Sequence, residues 1–190
     1  MPWWGKLLIA IGVVALVLLI VKWIVGIYNK LVDSREKVKN GWSQIDVQLR
    51  RRFDLIPNLV ETVKGYAAHE KETLENVTMW RSRVSAATTP EESMEANKGL
   101  SGALGRLLVT MEKYPDLKAN ENFLRLQSEL TEIENKISFA RQFYNDTVQK
   151  YNVAVKRFPS NIVASLFGFK EEKFFEVDES VRENVPQVKF

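Results

Sequence analysis

An uncharged apolar run near the amino terminus constrains this chain more than any other feature. The sequence LLIAIGVVALVLLIV occupies residues 7–21, and WIVGIY follows after the single residue Lys22. A helix over residues 7–28 is long enough for a bilayer core of about 30 Å, which needs about 20 residues. Lys22 lies near its end, where a lysine extends its ammonium group to the headgroups. The run therefore predicts a single transmembrane helix.

Aromatic residues stand at both ends of this run, as Trp and Tyr do at membrane–water interfaces. They are Trp3, Trp4, Trp23 and Tyr28. A signal peptide is one alternative, but VKWIVGIYNK lacks the small-x-small cleavage site that follows the apolar part of such peptides. A helix buried in a soluble core is the other, and it would not need aromatic residues at both ends. We therefore expect an uncleaved anchor that contacts the lipid bilayer through residues 7–28.

The distribution of charge predicts how the anchor is oriented. Residues 1–60 contain nine Lys and Arg against four Asp and Glu, whereas residues 61–190 contain 18 against 20. The basic residues that follow the anchor are Lys30, Arg35, Lys37 and Lys39, and only Lys6 precedes it. Because Lys and Arg accumulate on the cytoplasmic flank of a span, we expect a short outward N-terminal tail and a cytoplasmic body.

The body is predicted to be helical, and residues 120–158 carry its clearest pattern. Apolar and aromatic side chains recur there in steps of three and four, which indicates one helix of about eleven turns. The positions are Phe123, Leu126, Leu130, Ile133, Ile137, Ala140, Tyr144, Val148, Tyr151, Val155 and Phe158. A weaker stripe comprises Leu31, Val38, Trp42, Ile45, Leu49 and Phe53. No helix breaker separates it from the anchor, so we expect one continuous helix from membrane to body.

A heptad is repeated within the long helix, as YNDTVQK and then YNVAVKR. The repeat places Tyr144 and Asn145 seven residues before Tyr151 and Asn152. One interpretation is core packing, with the tyrosine hydroxyls at a hydrated edge. The other is that the two asparagines fix the register between helices through hydrogen bonds.

The sequence VQLRRRFDLIPNLV, residues 47–60, places Arg50, Arg51 and Arg52 directly before an apolar run. On a continuous helix Arg50 would lie about 33 Å beyond Tyr28, outside the roughly 10 Å range of a lipid surface potential. Consecutive side chains on a helix point about 100° apart, which argues against one nucleic-acid-binding patch. We therefore expect neither lipid nor nucleic acid at these arginines.

A helix corner near residues 53–57 is the remaining interpretation of this segment. Arginines suit the last turn of a helix, Asp54 is a good cap for the next one, and Pro57 is tolerated in a first turn. The second helix would then continue to about residue 86. The guanidinium groups at such a corner could dock an acidic protein partner.

Three further elements follow from local patterns. TTPEES predicts a helix start with Thr89 as cap and Glu92 completing a capping box, and this helix would end near residue 113. A short helix from Ser160 is expected to close at Gly168. The charged C-terminal tail also contains Phe174, Phe175 and Phe190. Because these are too apolar for a purely disordered tail, we expect them to dock on the bundle or on a neighbouring subunit.

Recognisable enzyme chemistry does not emerge from the residue types. The chain has no cysteine and one histidine, His69. A di-metal site in a bundle needs two Glu-x-x-His motifs, but Tyr66 stands three residues before His69. GLSGALG lacks the Gly-Lys-Ser/Thr ending of a phosphate-binding loop. We therefore expect no catalytic residues, no cofactor and no metal, and no nucleic-acid partner.

Several separated motifs closely resemble the LemA family. They are YNKLVDSREKVKNGWSQIDVQLRRRFDLIPNLVETVKGYAAHE, YPDLKANENFLRLQSELTEIENKISFARQFYNDTVQKYN, FPSNIVASLFGF and the ending VPQVKF. The resemblance covers nearly the whole chain. It implies a bacterial inner-membrane protein with one span, a short outward N-terminus and a cytoplasmic helical bundle. It supplies no reaction and no catalytic residues, and it associates the chain with envelope-stress and membrane-protease systems only loosely.

The positions that carry this resemblance most clearly fall on the predicted corner. The candidate protein-interaction residues are therefore Trp42, Asp46, Arg50, Arg51, Arg52, Asp54, Pro57 and Asn58. Together these observations predict an all-α fold, in which an N-terminal transmembrane helix continues into a long-helix antiparallel bundle of about four helices. The expected parts are a tail and anchor at 1–28, a bundle at 29–168 and a charged, aromatic tail at 169–190.

Three functions are compatible with this architecture. The first is a non-enzymatic scaffold that self-associates or organises other envelope proteins, which implies a homo-oligomer. The second is an adaptor or regulator of a membrane protease. The third is an enzyme with an unrecognised site, for which His69 is the most plausible residue.

Overall fold

The computed structural model describes residues 3–175, which contain helices and turns but no strand. The helices are α1 (Trp3–Lys64), α2 (Lys71–Ala86), α3 (Pro90–Met111), α4 (Pro115–Lys118), α5 (Glu121–Lys156) and α6 (Ser160–Leu166). The predicted all-α fold is confirmed. The predicted long helix at 120–158 corresponds to α5, and the predicted short helix after Pro159 corresponds to α6.

Helix α1 is 62 residues long and has no break between the apolar run and the body, as predicted. Its N-terminal part is the one segment of residues 3–175 that is long and apolar enough to cross a membrane. The side chains of residues 7–21 are exposed on every side of the helix. A core helix of a soluble protein would bury most of them, so this pattern fits contact with lipid.

The predicted corner at residues 53–57 is wrong, because α1 passes through Pro57 and ends at Lys64. Proline inside a helix removes one backbone hydrogen bond and costs about 3 kcal/mol. Two features offset this cost. Ile56, Leu59 and Val60 are buried in the core on either side of the proline, and a side chain of α2 reaches the carbonyl group that Pro57 leaves without its amide partner.

That carbonyl belongs to Phe53, four residues before Pro57. Arg81 Nε donates a hydrogen bond of 3.4 Å to it. The same guanidinium lies over the Phe53 ring, 4.0 Å from its centroid. Arg81 therefore compensates part of the missing hydrogen bond and adds a cation–π contact. This is a tertiary interaction between α1 and α2, so the local sequence around Pro57 could not predict it.

The described residues form two compact units whose boundaries lie within α1 and α5. We call residues 3–42 and 143–174 the anchor unit, and residues 43–142 with Phe175 the bundle unit. The predicted division into an anchor, a bundle and a tail stays a prediction.

The bundle unit encloses one hydrophobic core to which α1, α2, α3, α4 and α5 all contribute. Its buried residues are Ile56, Leu59, Val60, Val63, Ala67, Leu74, Val77, Leu100, Ala103, Leu104, Leu107, Met111, Leu117, Phe123, Leu126 and Leu130. Burying a large apolar side chain contributes about 1.5–3 kcal/mol. The α5 positions in this set belong to the stripe that the sequence predicts.

Helix α3 begins as predicted, with a capping box between Thr89 and Glu92. Hydrogen bonds from the backbone and hydroxyl of Thr88 and from the backbone of Thr89 lower the pKa of Glu92, because they stabilise its carboxylate. Further along α3, the Trp80 ring of α2 lies against Gly99. A Cβ atom there would approach the ring to 2.3 Å, so this glycine allows the two helices to pack closely.

In the anchor unit, α6 packs against α1 through Val163 and Ala164, which are buried together with Leu31. Gly168 has a φ of +73° and follows α6, as predicted for a helix-closing glycine. Gly41 marks another close approach, between α1 and α5. A Cβ atom at this position would lie 3.3 Å from Thr147 Oγ1 and 3.4 Å from Tyr144 Cα.

Candidate functional site

Arg52, the last of the three arginines, is buried at the centre of the bundle unit. Its exposed fraction is 0%. Nη1 donates to Ser101 Oγ and to Glu134 Oε1, both at 2.6 Å. Nη2 donates to Asn97 Oδ1 at 2.7 Å and to the Asn97 carbonyl at 3.2 Å. One guanidinium thus joins α1, α3 and α5.

The partners of Arg52 are themselves held in place. The amide Nδ2 of Asn97 donates to the Ser93 carbonyl at 2.8 Å, one turn earlier on α3, which orients Oδ1 toward the arginine. The Glu134 side chain is 39% exposed and forms the outer end of the ion pair. Arg52 Nε has no hydrogen-bond partner. The cluster neutralises a buried charge, and its geometry suits positioning of helices.

The structure therefore contradicts the prediction that Arg52 is part of an exposed interaction corner. The sequence did contain a signal for its burial. Ile45, Leu49, Arg52, Ile56 and Leu59 follow one another in steps of three and four, and the four apolar members are buried. Arg52 thus occupies a core position of the α1 stripe. The predicted stripe has Phe53 in this place, and Phe53 is half-buried.

Asn97, Ser101 and Glu134 are the partners of Arg52, and the sequence patterns above do not single them out. Asn97 and Ser101 lie one turn apart on α3, and each directly follows a buried apolar residue, Ala96 or Leu100. Two polar residues on the buried side of a helix are a sign that a polar partner lies opposite. That sign could have been found, although the sequence alone does not say which arginine supplies the partner.

The other charged residues of the segment are exposed on the bundle unit. They are Asp46, Arg50, Arg51 and Asp54. Arg51 lies close enough to α5 to help lower the pKa of Glu132, although the main cause is the hydrogen bond and charge of Lys136. Pro57 is half-buried and Asn58 is exposed. The structure thus leaves four charged side chains on the surface of a continuous helix, without a corner.

Trp42 lies in the anchor unit and packs on α5. Its ring meets the Tyr144 ring edge-to-face, with centroids 5.9 Å apart and an interplanar angle of 65°. Such aromatic pairs contribute about 0.5–1.5 kcal/mol beyond their buried area. Trp42 is half-buried, and this contact gives it a role in packing.

The heptad residues hold the segment that follows α6. Asn152 Nδ2 donates to the Glu172 carbonyl at 2.8 Å, and the Glu172 amide donates to Asn152 Oδ1 at 2.9 Å. Tyr144 Oη donates to the Lys173 carbonyl at 3.0 Å. The Asn152 side chain therefore donates to and accepts from the Glu172 backbone, which differs from the predicted register pairing between helices. For Asn145, which is half-buried, register pairing stays a prediction.

Tyr151 is buried in the anchor unit. Burial raises its pKa, and the nearby Glu172 carboxylate adds to this, whereas Arg35 acts in the opposite direction. The burial of Tyr151 therefore disagrees with the interpretation that the tyrosine hydroxyls lie at a hydrated edge.

Of the three phenylalanines predicted to dock the tail, Phe175 has contacts that fit this prediction. This residue is buried in the bundle unit, and the Arg141 guanidinium lies over its ring at 5.0 Å. Phe174 is exposed, and Phe190 lies outside the described residues.

His69 is exposed in the turn between α1 and α2. Within residues 3–175, no group of three or more His, Asp or Glu side chains is arranged to hold a metal ion. The polar cluster that joins three helices through one buried charged group is the one around Arg52.

The fold and these contacts define a class: an all-α protein whose first helix carries a candidate membrane span and then contributes to a helical bundle joined by a buried arginine. The model of the LemA family matches residues 41–190. The chain belongs to the LemA family.

Curated relatives agree with this assignment. The chain is 28% identical over 162 residues to Protein LemA of Metamycoplasma hominis, covering 85% of this chain and 74% of that protein. It is 26% identical over 196 residues to Magnetosome protein MamQ of Magnetospirillum gryphiswaldense, covering 90% and 72%. It is also 26% identical over 175 residues to Magnetosome protein MamQ 2 of Paramagnetospirillum magneticum. That match covers 78% of this chain and 64% of the relative's own length.

Proposed function

We propose that this chain is a single-span inner-membrane scaffold whose cytoplasmic bundle self-associates and thereby organises other envelope proteins. The apolar, fully exposed span of α1 supports the anchor, and the basic residues after it support a cytoplasmic body. Two of the relatives described above are named after the magnetosome, a name that refers to a structure and not to a reaction.

One observation supports the proposal of self-association. The bundle unit has an exposed patch in which positively and negatively charged side chains lie beside an aromatic one. We call Arg51, Glu132, Lys136 and Phe139 the α5 patch. Phe139 is 73% exposed. Glu132, Lys136 and Phe139 share one face of α5 because they are spaced by four and three residues, and Lys136 pairs with Glu132.

A second copy of the chain is the partner that suits this patch. In a two-fold interface the same surface meets itself, so one copy's Arg51 can face the other's Glu132 while the two phenylalanines exclude water. Anchoring in one membrane also raises the effective concentration of copies. A patch that is too small for tight binding in solution can therefore associate at a bilayer.

Cysteine crosslinking tests this proposal directly, because the chain has no cysteine of its own. Phe139→Cys should form disulfide-linked dimers in membranes under mild oxidation. Val109→Cys is the matched control, since Val109 is a similarly exposed apolar residue on α3. A yield for Phe139→Cys that does not exceed the Val109→Cys yield would refute association through this patch.

A second candidate function is an adaptor of a membrane protease or of another envelope protein. The exposed Arg50 and Asp54 favour it, because charged side chains on a rigid helix can recognise a partner by complementary charge. Replacing Arg50 and Asp54 with serine should then slow turnover of membrane substrates as strongly as deleting the gene. Unchanged turnover in both strains would remove this candidate.

A further inference from the structure

Helix α6 and its flanks expose a large apolar surface that the bundle does not use. Phe158, Ile162, Leu166 and Phe167 are all exposed, Phe158 and Leu166 to about three-quarters. Ile162 and Leu166 are one turn apart and share a face of α6. Four large apolar side chains on and beside a helix of seven residues indicate a surface that is covered in the working protein.

The contacts of α6 place this surface beside the end of the candidate span. Its opposite face is buried against Leu31, with Ile24 and Ile27 packed around it. The rings of Phe167 and Phe169 meet Tyr28 edge-to-face, at centroid distances of 4.9 and 5.6 Å. Residues 24–31 of α1 cover about 10 Å of helix, so α6 lies at the level where the apolar run ends.

The position of α6 along α1 indicates which molecule covers its apolar surface. Where residues 7–28 cross the bilayer, the region around Tyr28 coincides with the boundary between acyl chains and headgroups. Interfacial helices bury their apolar face about 5–10 Å into that boundary. The outward face of α6 therefore meets lipid at this depth.

Basic side chains next to α6 match the charge of a lipid surface. A cavity of about 510 Å³ in the anchor unit is lined by Trp23, Lys30, Lys150, Arg157 and Phe158, among other residues. Three of these five carry positive charge, and none of the cavity's lining residues is acidic. Lipid phosphate groups occupy the same level of the bilayer, and each nearby Lys or Arg strengthens binding to an anionic surface.

We propose that α6 is a second membrane contact, which inserts Phe158, Ile162, Leu166 and Phe167 into the headgroup boundary and holds an anionic lipid headgroup with Lys30, Lys150 and Arg157. This inference rests on the membrane anchor of the proposed function. It adds that the anchor unit is fixed to the leaflet at two places. A lateral contact of this kind restricts tilt and rotation of α1, which a single span leaves open.

Site-directed spin labelling of the full chain tests the inference. Single cysteines at Ile162 and Leu166 are labelled with a nitroxide, and the protein is reconstituted in vesicles of phosphatidylglycerol and phosphatidylcholine. The label at Val13 reports on the span, and the label at Val109, an exposed residue of α3, reports on a surface exposed to water. Collision rates with oxygen, which enters lipid, and with a water-soluble nickel chelate give the depth of each label.

The expected result is that labels at Ile162 and Leu166 collide several-fold more with oxygen, and several-fold less with nickel, than the label at Val109. Val13 should lie deeper still. Water-accessible labels on α6 together with a lipid-buried Val13 would overturn the inference and leave the anchor intact. Protection of α6 from both reagents would also overturn it, because a protein partner would then cover the surface.

A water-accessible Val13 would refute the anchor of the proposed function and this inference with it. A comparison of lipids tests the basic residues separately. Replacing phosphatidylglycerol with phosphatidylcholine should move the Ile162 label toward water, and Lys150→Gln with Arg157→Gln should do the same in the original vesicles. Depths that change in neither case would overturn the role assigned to the basic side chains.

Discussion

The two compact units place their apolar and charged residues in opposite ways. The bundle unit buries one apolar core and exposes charge, except for Arg52 at its centre. The anchor unit exposes most of its large apolar side chains along residues 7–28 and around α6. Helix α1 takes part in both units without a break. The difference shows how one helix can suit two environments. Apolar side chains around its whole circumference suit lipid, whereas an apolar stripe along one side suits a bundle in water.

The largest expected effect tests the centre of the bundle unit. Arg52→Ala should lower the free energy of unfolding by about 3–5 kcal/mol, because it leaves a cavity and removes the partner of Glu134 and Asn97. Arg52→Met fills most of the space and should cost less. Urea unfolding of the full chain in detergent, followed by circular dichroism, measures both changes.

Arg51→Ala is the matched control for this prediction. Its side chain is exposed, so the change should stay within about 0.5 kcal/mol. Equal losses for Arg51→Ala and Arg52→Ala would show that burial does not distinguish the two arginines.

A second prediction concerns the proline in α1. Arg81→Ala should cost about 1–2 kcal/mol, since it removes the hydrogen bond to the Phe53 carbonyl and the contact with the Phe53 ring. Pro57→Ala restores a backbone amide to that carbonyl. In the Pro57→Ala background, the same Arg81→Ala change should therefore cost less, which a double-mutant cycle measures. Equal costs in both backgrounds would mean that Arg81 does not compensate for Pro57.

A third prediction concerns the anchor unit. Asn152→Ala removes both hydrogen bonds to the Glu172 backbone, so the Glu172 amide should exchange with solvent deuterium faster by about tenfold, equivalent to about 1.4 kcal/mol. The unfolding midpoint of the bundle unit should not change. Asn161→Ala, at an exposed position of α6, is the control. Similar exchange of Glu172 in all three proteins would show that Asn152 does not hold this segment.

The smallest expected effect is the pH dependence of the α3 cap. The pKa of Glu92 is lowered in the folded state, so its contribution is complete above the unfolded value of 4.5 and is lost as the pH falls through the folded pKa. Glu92→Gln should therefore be less stable than the parent at pH 7, and the two should converge once the pH falls below the folded pKa of Glu92. A stability difference that persists unchanged at low pH would exclude the ionised carboxylate as its cause.

Much of this fold was predictable because helical periodicity and capping are local. The stripe of α5, the capping box at Thr89 and the closing Gly168 all appear as predicted. The continuity of α1 followed from the absence of a breaker between Tyr28 and Leu31. These features depend on residues within one or two turns of each other, which is the information that one sequence holds.

The errors arose where a distant residue decides the local structure. Pro57 is tolerated because Arg81, 24 positions later, reaches Phe53. Arg52 is buried because α3 and α5 supply its partners. Asn152 of α5 forms a hydrogen bond with Glu172, which follows α6 in the sequence. The pattern of one sequence can show that such a residue lies on the buried face of its helix, as the α1 stripe does for Arg52. It does not identify the residue's partners.

The mass of the full chain in lipid nanodiscs tests the central claim most directly. Native mass spectrometry should show two or more copies per disc for the parent chain, and one copy for Phe139→Glu, which places a charge in the α5 patch. Val109→Glu should keep the parent's number of copies. A parent chain that occupies nanodiscs as a single copy, even when copies are in excess over discs, would contradict the proposed self-associating scaffold.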